Sequence, residues 1–511
     1  MTLAEILARN AAFSPEKIAI SCEGRVLGYR ELSARIERLA GALASRFSVA
    51  RGDRLAYLGL NSPELLVLLF ACARLGAMLV PLNWRLAEPE LAFIIANAEP
   101  KLLAFEAMFS PRLAALMTAA RGMEVISLAR EGAGGHLLET LIAQSPDFAA
   151  PSTGRFEDPL LLVYTSGTTG HPKGALLTQV ALYWNAIASV HMHGLSASDH
   201  VLTVLPMFHV GGLNIQTTPA LLAGASVTLH RRFIPAATLA SISELRPSLT
   251  VLVPATLDAL LADDAFATTD FSSLRAVTTG STIVPEALVE VFARRGVRLI
   301  QVYGATETGP ISVYERFDRP RDRPDTTGLA GITVKMRILD EAGKDVRPGM
   351  PGEVALKGPG LFCGYWRDEE ATEAAFRDGW FLTGDIGVVD AQGYLYLRDR
   401  KKNVIISGGE NIYPAELERE IGAFPGVAEC AVVGMSDPRW QEVPVAFVVP
   451  RAQTLLDVEA LGVHLAANLA RFKLPRRILL RQALPRNAMG KIQHFVLKAE
   501  LAAASGQGPG S

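Results

Sequence analysis

Residues 160–188 read LLLVYTSGTTGHPKGALLTQVALYWNAIA. The stretch opens with an apolar run, continues with a loop rich in glycine and threonine (165–174), and ends with the apolar period of a helix (175–188). The same alternation recurs over roughly the first 310 residues. Alternating apolar strands and amphipathic helices predict an α/β fold with largely parallel sheets. Its other helical periods lie at 29–43 and 62–75, and its other apolar runs at 54–58, 200–205, 226–229, 249–253 and 297–302.

The pattern changes near Gly328. Short apolar runs joined by turn residues then predict a small antiparallel β subdomain, with a hairpin formed by 386–389 and 394–397. A charged segment, RDRKKN, follows at 398–403, and after it the pattern is that of a small α+β unit. We therefore predict a large N-terminal domain of helix-flanked sheets and a small, mobile C-terminal domain. The predicted bounds are 1–399 for the N-terminal domain, 400–402 for a hinge, 403–504 for the C-terminal domain and 505–511 for a disordered tail.

Composition excludes several classes of protein. The 511 residues carry 50 Lys and Arg against 52 Asp and Glu, a formal net charge of -2, so the chain as a whole has no basic footprint for nucleic acid. A hydrophobic fraction of 49% excludes an intrinsically disordered protein. The four cysteines have neither metal nor redox spacing and are too few for a disulfide framework, which predicts free thiols in a reducing compartment.

The N-terminus shows no secretory signal. Thr2 and Glu5 have the spacing of a helix capping box, and no basic segment is followed by an apolar one. The longest apolar run, 65–73, is far shorter than the roughly 20 residues that span a bilayer. We expect a cytoplasmic protein without membrane insertion.

The glycine-rich loop at 165–174 has the chemistry of a phosphate-binding loop. Hydroxyl groups and backbone N–H groups can surround phosphate oxygens, and Lys173 adds a positive charge. The loop is not a Walker A motif, because Pro172 precedes the lysine and Gly174 follows it. The alternative is a solvated turn.

Further motifs follow in the second half of the chain. In YGATET (303–308), Tyr303 offers a flat face to a purine, and Glu307 offers a hard oxygen ligand suited to Mg²⁺. In GWFLTGD (379–385), the final carboxylate can accept hydrogen bonds from ribose hydroxyls. The remaining motifs are an arginine at 400 with IISGGEN at 405–411, and PRNAMGK at 485–491.

Taken in order, these motifs resemble those of the AMP-forming acyl-CoA synthetase, adenylation-domain and luciferase superfamily, over roughly residues 25–500. The resemblance implies an ATP-dependent acid:CoA ligase that uses Mg²⁺ and coenzyme A. It forms an acyl-adenylate with release of pyrophosphate, and then an acyl-CoA thioester with release of AMP.

The resemblance also implies the roles of individual residues. Lys491 enters the active site during adenylation, Glu307 is the metal ligand, and Lys402 is the hinge. The residues implied in catalysis are Lys491, Thr306, Glu307 and His209. Those implied in nucleotide and coenzyme binding are Thr165, Ser166, Gly167, Thr168, Thr169, Gly170, Lys173, Gly280, Ser281, Thr282, Tyr303, Gly304, Ala305, Asp385, Arg400, Ser407, Gly408 and Gly409. Those implied in binding the acid are His209, Val210, Gly211, Gly280, Val302, Gly304 and Ala305.

Some of these assignments have alternatives. His209 is either a residue of the acyl pocket or a core histidine with satisfied hydrogen bonds. Residues 471–475 lie either near the coenzyme A phosphates or at a plain helix terminus. Two positions depart from the family pattern. Gln441 stands where relatives often have glycine, and Val302 stands where some aryl-activating relatives have glycine.

The acid is predicted to be a hydrophobic monocarboxylic one, because the segments around His209, Gly280 and Val302 are small and apolar. The sequence leaves open a fatty acid or an aryl or hydroxycinnamic acid, as in bacterial fatty-acyl and feruloyl-type ligases. The alternatives in function are an amino-acid adenylating enzyme and a non-catalytic acyl- or nucleotide-binding relative. The expected partners are therefore small molecules, not nucleic acid, and a homodimer is left open.

Overall fold

The computed structural model describes residues 1–128, 136–146, 152–165, 172–281, 284, 286–319, 323, 325–407, 410–452, 454–486 and 492–504. The chain divides into two compact units. The first unit comprises Met1–Met336 and Leu356–Phe381, and the second comprises Arg337–Ala355 and Leu382–Ser511. The domain bounds and the hinge derived from the sequence stay predictions.

The strands are numbered in chain order. They are β1 (Ile18–Cys22), β2 (Arg25–Gly28), β3 (Arg54–Leu58), β4 (Met78–Pro81), β5 (Leu102–Phe105), β6 (Glu124–Ser127), β7 (His136–Leu137), β8 (Pro159–Thr165), β9 (Lys173–Thr178), β10 (His200–Thr203), β11 (Ser226–Leu229), β12 (Leu249–Val251), β13 (Ala276–Gly280), β14 (Leu299–Tyr303), β15 (Val313–Tyr314), β16 (Leu329–Ala330), β17 (Lys335–Leu339), β18 (Gly352–Lys357), β19 (Gly364–Tyr365), β20 (Phe376–Arg377), β21 (Trp380–Val389), β22 (Leu395–Arg400), β23 (Ile405–Ser407), β24 (Glu410–Ile412), β25 (Val427–Asp437), β26 (Gln441–Pro450) and β27 (Arg477–Leu480).

The helices are numbered in the same way. They are α1 (Leu3–Phe13), α2 (Tyr29–Phe47), α3 (Pro63–Leu75), α4 (Glu88–Ala98), α5 (Leu113–Ala119), α6 (Leu138–Gln144), α7 (Gln179–His193), α8 (Val210–Asn214), α9 (Thr217–Leu222), α10 (Pro235–Leu245), α11 (Pro254–Leu261), α12 (Glu286–Arg294), α13 (Glu369–Ala375), α14 (Pro414–Gly422), α15 (Val458–Asn468) and α16 (His494–Ala504). Short 3₁₀ helices lie at Ala107–Arg112, Asp264–Ala267, Thr306–Thr308, Lys401–Asn403 and Arg471–Lys473.

Two large sheets form the framework of the first unit. The first sheet has the strand order β16-β15-β14-β13-β12-β10-β11-β1-β2, and the second has the order β19-β9-β8-β4-β3-β5-β6-β7. Strands β14, β13, β12, β10, β11 and β1 run parallel to one another, as do β8, β4, β3, β5, β6 and β7. The antiparallel strands lie at the ends of these runs, so the predicted α/β class with largely parallel sheets is confirmed.

Helix α3 lies in the core of the first unit, and its sequence is accordingly apolar on all sides. It packs against β4 and β8 of the second sheet and β1 of the first sheet. Ser62 caps its N-terminus by accepting from the Leu65 N–H, and Gly76 ends it in the left-handed conformation, with φ +74°. The apolar run at 65–73 is therefore a core helix.

The helix expected at 175–188 begins later than the sequence predicts. Residues 173–178 form β9, which pairs antiparallel with β8, and Thr178 then caps α7 by accepting from the Ala181 N–H. Ala175 and Leu177 are buried on one face of this strand. A short apolar run fits a strand or a helix equally well, and pairing with β8 decides the outcome.

The predicted antiparallel region and the α+β unit are both present. A third sheet has the order β17-β18-β21-β20, with β22 paired to β21, and the predicted hairpin is formed by β21 and β22. Asp390 closes its turn by accepting from the Gln392 and Tyr394 N–H groups. In the second unit, a sheet of order β24-β23-β26-β25, with β27 beside β26, packs with α14, α15 and α16.

A buried histidine ties α7 to β13. His193 has no exposed surface, and its Nδ1 lies 2.9 Å from the Ser189 carbonyl oxygen, so Nδ1 carries the proton and donates. Its Nε2 lies 2.8 Å from the Thr278 hydroxyl, which donates to it. Burial lowers the pKa of His193 to about 4.

Because of His193, the free energy of unfolding is expected to fall as the pH is lowered. The unfolded chain binds a proton at about pH 6.5, whereas the native state excludes it until about pH 4. Between pH 7.5 and pH 5.0, the contribution of His193 should lower the free energy of unfolding by roughly 2 kcal/mol. Urea unfolding of the wild type and His193→Gln at both pH values measures the effect. The drop should be smaller in the variant, and equal drops would contradict the assignment.

Candidate active site

The carboxyl ends of four parallel strands meet at one edge of the first sheet. Strands β14, β13, β12 and β10 are neighbours in that order, with Gly280 of β13 opposite Val302 of β14. In open α/β sheets this edge is where ligands bind. The segments that leave it include Ser281, Tyr303 and the stretch that ends at His209.

Two predicted site glycines lie where the backbone leaves no room for a side chain. A Cβ atom on Gly280 would lie 2.3 Å from the Val302 carbonyl oxygen, and one on Gly304 would lie 2.3 Å from the Pro310 carbonyl oxygen. The next residue after β13, Ser281, is exposed and has φ +76°. A non-glycine residue in this left-handed conformation is strained, a feature that is common at ligand sites.

The end of β14 carries the predicted adenine and magnesium residues. Tyr303 is half-buried, Thr306 is buried, and Glu307 is half-buried in the 3₁₀ turn Thr306–Thr308. The turn is closed by Thr308, whose hydroxyl oxygen accepts from the Ala305 N–H at 2.8 Å. Glu307 is thereby held directly after the strand end.

A tyrosine that the sequence did not single out joins two of the predicted residues. The Tyr365 hydroxyl donates to Glu307 Oε1 at 3.0 Å, and Lys173 Nζ lies 5.4 Å from the centre of the Tyr365 ring. Lys173 also pairs with Asp368 at 3.5 Å. Pairing of β19 with β9 positions Tyr365 here, and the Phe362 N–H donates to the Glu307 carbonyl oxygen at 2.8 Å. Glu307 and Lys173 thus belong to one cluster.

The cluster suits magnesium carried in with a nucleotide. Within the described ranges, no group of three or more His, Cys, Asp or Glu side chains is arranged to hold a metal ion. Mg²⁺ is commonly bound through one or two carboxylates and the phosphates of its substrate, not by an all-protein cage. Glu307 supplies such a carboxylate, with its orientation held by Tyr365.

The phosphate-loop residues at the ends of the β8–β9 connection lie opposite each other. Thr165 pairs with Lys173 in the antiparallel ladder, and the Thr165 hydroxyl lies 3.4 Å from the Lys173 carbonyl oxygen. The loop therefore connects two strands of a hairpin rather than a strand and a helix. The predicted residues that lie outside the described ranges are Ser166, Gly167, Thr168, Thr169, Gly170, Thr282, Gly408, Gly409 and Lys491.

His209 is the N-cap of α8 and is half-buried, which distinguishes it from the fully buried His193. Its Nδ1 accepts from the Gly211 N–H at 3.1 Å. In the neutral ring the proton is therefore on Nε2, which is a hydrogen-bond donor. Val210 and Val302, both predicted to contact the acid, are buried.

In the second unit, two predicted ribose residues form an ion pair. Asp385 and Arg400 are opposite each other on β21 and β22, and Arg400 Nε lies 2.7 Å from Asp385 Oδ1. Asp385 is largely buried, whereas Arg400 is half-buried. The pairing of β21 with β22 holds the side chains of Asp385 and Arg400 next to each other.

The predicted hinge residue, Lys402, lies two residues after Arg400. Lys402 lies in the 3₁₀ helix Lys401–Asn403, where burial lowers its pKa, and the charge of Arg400 lowers it further. Asp399, which is half-buried, accepts from the Ala415 N–H at 2.8 Å, and burial raises its pKa.

The residues noted near the coenzyme A motifs have identifiable surroundings in the second unit. Ser407 is buried at the end of β23 and pairs with Glu410 and with Gln441. Gln441 has φ +70°, a conformation that favours glycine, so a glycine at this position would relieve strain. Lys473 pairs with Glu416 at 2.7 Å.

The two large, mainly parallel sheets and the smaller antiparallel sheets match the fold of solved adenylate-forming enzymes. The family model "AMP-binding enzyme" matches residues 7–366, and "AMP-binding enzyme C-terminal domain" matches residues 416–491. The chain belongs to the AMP-binding enzyme family and is an AMP-forming acyl-CoA synthetase. None of its helices in the described ranges is long and apolar enough to span a bilayer.

Similar proteins cover nearly the whole chain. An indoleacetate–CoA ligase of Aromatoleum aromaticum is 47% identical, over 96% of this chain and 97% of the relative. A long-chain-fatty-acid–CoA ligase of Mycobacterium tuberculosis is 36% identical, over 93% of each chain. The solved structure of an anthranilate CoA ligase in complex with anthranoyl-AMP has a TM-score of 0.91 and 27% identity, over 99% of this chain and 98% of that chain.

Replacing Tyr365 with phenylalanine tests the cluster. Loss of the hydroxyl removes the hydrogen bond that orients Glu307, so the KM for Mg·ATP should rise by about tenfold. Pyrophosphate exchange at varied Mg·ATP concentration measures this change.

Tyr29→Phe is the matched control. The Tyr29 hydroxyl is buried and donates to the Ala225 carbonyl oxygen at 2.7 Å, so its loss should lower stability and leave the KM unchanged. An unchanged KM in Tyr365→Phe would show that the tyrosine does not orient Glu307.

Proposed function

We propose that this ligase activates a hydrophobic aryl monocarboxylic acid, forming an aryl-adenylate and then an aryl-CoA thioester. The observation that carries the proposal is the convergence of Gly280, Tyr303 and Glu307 at the carboxyl ends of β13 and β14. Similarity to an indoleacetate–CoA ligase over nearly the full chain supports the choice of an aryl acid.

The lining beside this edge suits an apolar substrate. Val210, Leu213 and Val302 are buried side chains that follow or belong to the strand ends, and Gly211 beside Val210 is half-buried. Apolar walls favour a hydrophobic body, and a second carboxylate would lie buried there without a counter-ion. A monocarboxylic acid therefore fits best.

The nucleotide is assigned to the residues that the family motifs indicate. Tyr303 stacks on the adenine, with Gly304 and Ala305 along the ring edge. Lys173 and the loop that begins at Thr165 bind the phosphates. Asp385 and Arg400 are assigned to the ribose, whose hydroxyls the carboxylate accepts. Glu307 is assigned to Mg²⁺, which, when bound, neutralises phosphate charge.

The first half-reaction is an in-line displacement at phosphorus. A carboxylate oxygen of the acid attacks the α-phosphate, the bond to the β-phosphate oxygen breaks, and pyrophosphate leaves with the electron pair. Negative charge develops on the phosphate oxygens, and Lys491 is proposed to stabilise it. Thr306 is proposed to add a hydroxyl, and His209 is proposed to orient the acid.

The second half-reaction uses coenzyme A. Its thiolate attacks the acyl carbon, and the bond to the phosphate oxygen breaks with AMP as the leaving group. Rotation about Lys402 is proposed to withdraw Lys491 and to present the loop that starts at Ser407. Adenylation comes first because a free carboxylate is a poor electrophile and AMP is a good leaving group.

A fatty acid is the second candidate, supported by similarity to a long-chain-fatty-acid–CoA ligase. A pocket beneath the strand ends has a largely apolar lining that also includes the side chains of Gln216 and Thr217, and such a lining favours an aryl acid with a polar ring group. An alkyl terminus there would leave buried polar groups without partners. No acidic residue lies between Pro206 and Leu222, which disfavours an amino acid as substrate.

Acid-dependent AMP release tests the proposal. With ATP and coenzyme A, we expect aryl acetates and benzoates to be used with a kcat/KM at least about tenfold above that of C8 to C16 fatty acids, a difference within the range that pocket contacts provide. Lys491→Ala should lose about 100-fold or more of the pyrophosphate exchange, yet still transfer a supplied aryl-adenylate to coenzyme A. Preference for fatty acids, or full exchange by the variant, would contradict the respective assignment.

A further inference from the structure

A small pocket lies beneath the candidate active site, between the parallel strands and α8 and α9. Its volume is about 10 Å³, which leaves room for one group about the size of a water molecule, such as an N–H or O–H. Its walls come from the ends of β10 and β12 and from the segment around α8 and α9. The lining residues are Leu202, Thr203, Val204, Leu205, Gly212, Gln216, Thr217 and Val251.

The side-chain amide of Gln216 has a fixed orientation in this wall. His193 donates from Nδ1 to the Ser189 carbonyl oxygen, so its Nε2 must accept, and the only proton of the Thr278 hydroxyl goes to it. The Thr278 oxygen can therefore only accept from Gln216, which donates from Nε2 at 3.1 Å. A flipped amide would face the Thr278 oxygen with another acceptor.

The other amide atom of Gln216 has no partner. Gln216 is 1% exposed, and its Oε1 has no hydrogen-bond partner among the described residues. An unpaired buried acceptor costs about 1–3 kcal/mol, which a ligand that supplies a donor regains. A bound group with an N–H or O–H fits this atom, and a purely apolar group does not.

The two threonines of the pocket add further acceptors. The Thr217 hydroxyl donates to the Gly212 carbonyl oxygen at 2.7 Å, so the proton between Thr217 and Thr203, whose oxygens are 2.7 Å apart, belongs to Thr203. Both hydroxyl protons are thus used, and lone pairs remain. This wall therefore complements a hydrogen-bond donor.

The pocket lies at a defined depth below the strand edge. Thr278, the partner of Gln216, precedes Gly280 by two residues on β13, so both face the same side of the sheet. Two residues of strand correspond to about 7 Å. If the carboxylate of the acid reacts at the edge by Gly280, a group about 7 Å from that carboxylate lies at the depth of Gln216.

We infer that Gln216 is a specificity-determining residue that selects aryl acids carrying a ring N–H or O–H donor, which Gln216 Oε1 accepts. The inference rests on the proposed function, since it takes the reacting carboxylate to lie at the edge by Gly280. A heteroaryl acetate such as indole-3-acetate has an N–H and a carboxylate in suitable positions. Its sulfur isostere, 1-benzothiophene-3-acetate, has the same shape without the donor.

The wild type already tests the inference with this pair of acids. The kcat/KM for AMP release should be about 5- to 150-fold higher with indole-3-acetate than with 1-benzothiophene-3-acetate, the factor that corresponds to one unpaired buried acceptor. Gln216→Met, similar in size but without the amide, should reduce this ratio to within about threefold of unity, mainly through loss of activity on the indole acid.

Thr218→Val is the matched control. Thr218 lies in α9, two residues after Gln216, and is also buried, but its hydroxyl donates to the Leu213 carbonyl oxygen and it does not line the pocket. Thr218→Val should lose stability and keep the wild-type ratio of kcat/KM for the two acids. If Gln216 had only a structural role, Gln216→Met would behave in the same way.

The outcomes separate the inference from the proposed function. A wild-type ratio near unity with both acids turned over overturns the inference alone, as does an unchanged ratio in Gln216→Met. AMP release from fatty acids but from neither aryl acid overturns the proposed function. The wild-type measurement needs no variant, so the inference remains testable if Gln216→Met does not fold.

Discussion

The parallel pairing of β13 with β14 is the constraint on which the candidate site depends. It places Gly280 beside Val302, and so brings the segments that begin with Ser281 and Tyr303 to one edge of the sheet. The approach of the two backbones is so close that residue 280 has no room for a Cβ atom. The adenine and acyl assignments both follow from this edge.

Long-range contacts then add side chains to that edge from distant parts of the chain. Tyr365 reaches Glu307 across 58 residues, and Gln216 reaches Thr278 across 62. The first contact orients a carboxylate proposed to bind Mg²⁺, and the second fixes an amide whose oxygen has no partner. The chain has a net charge of only -2, yet Lys173 and Arg400 lie in candidate polyanion-binding positions.

Much of the fold could be predicted because it depends on local patterns. The capping box of Thr2 and Glu5 is present, the apolar run at 65–73 lies in a core helix, and the hairpin of β21 and β22 turns at Asp390. The strand β9 was missed because its short apolar run has no period of its own and is extended only by pairing with β8.

The site was predicted less completely, for a physical reason. Motif residues such as Glu307 and Asp385 carry their chemistry in their own local sequence. The importance of Tyr365, Asp368 and Gln216 comes from neighbours that are distant along the chain, and no local pattern marks such residues. Gln216 is distinctive only as a polar residue within a largely buried segment.

The most direct test of the account is a crystal structure with an unreactive mimic of the adenylate, indole-3-acetyl sulfamoyl adenosine. The account predicts that the adenine lies against the face of Tyr303 at the carboxyl ends of β13 and β14. It also predicts that the aryl group extends along β13, with its N–H directed at Gln216. A mimic bound away from this edge would contradict the central claim.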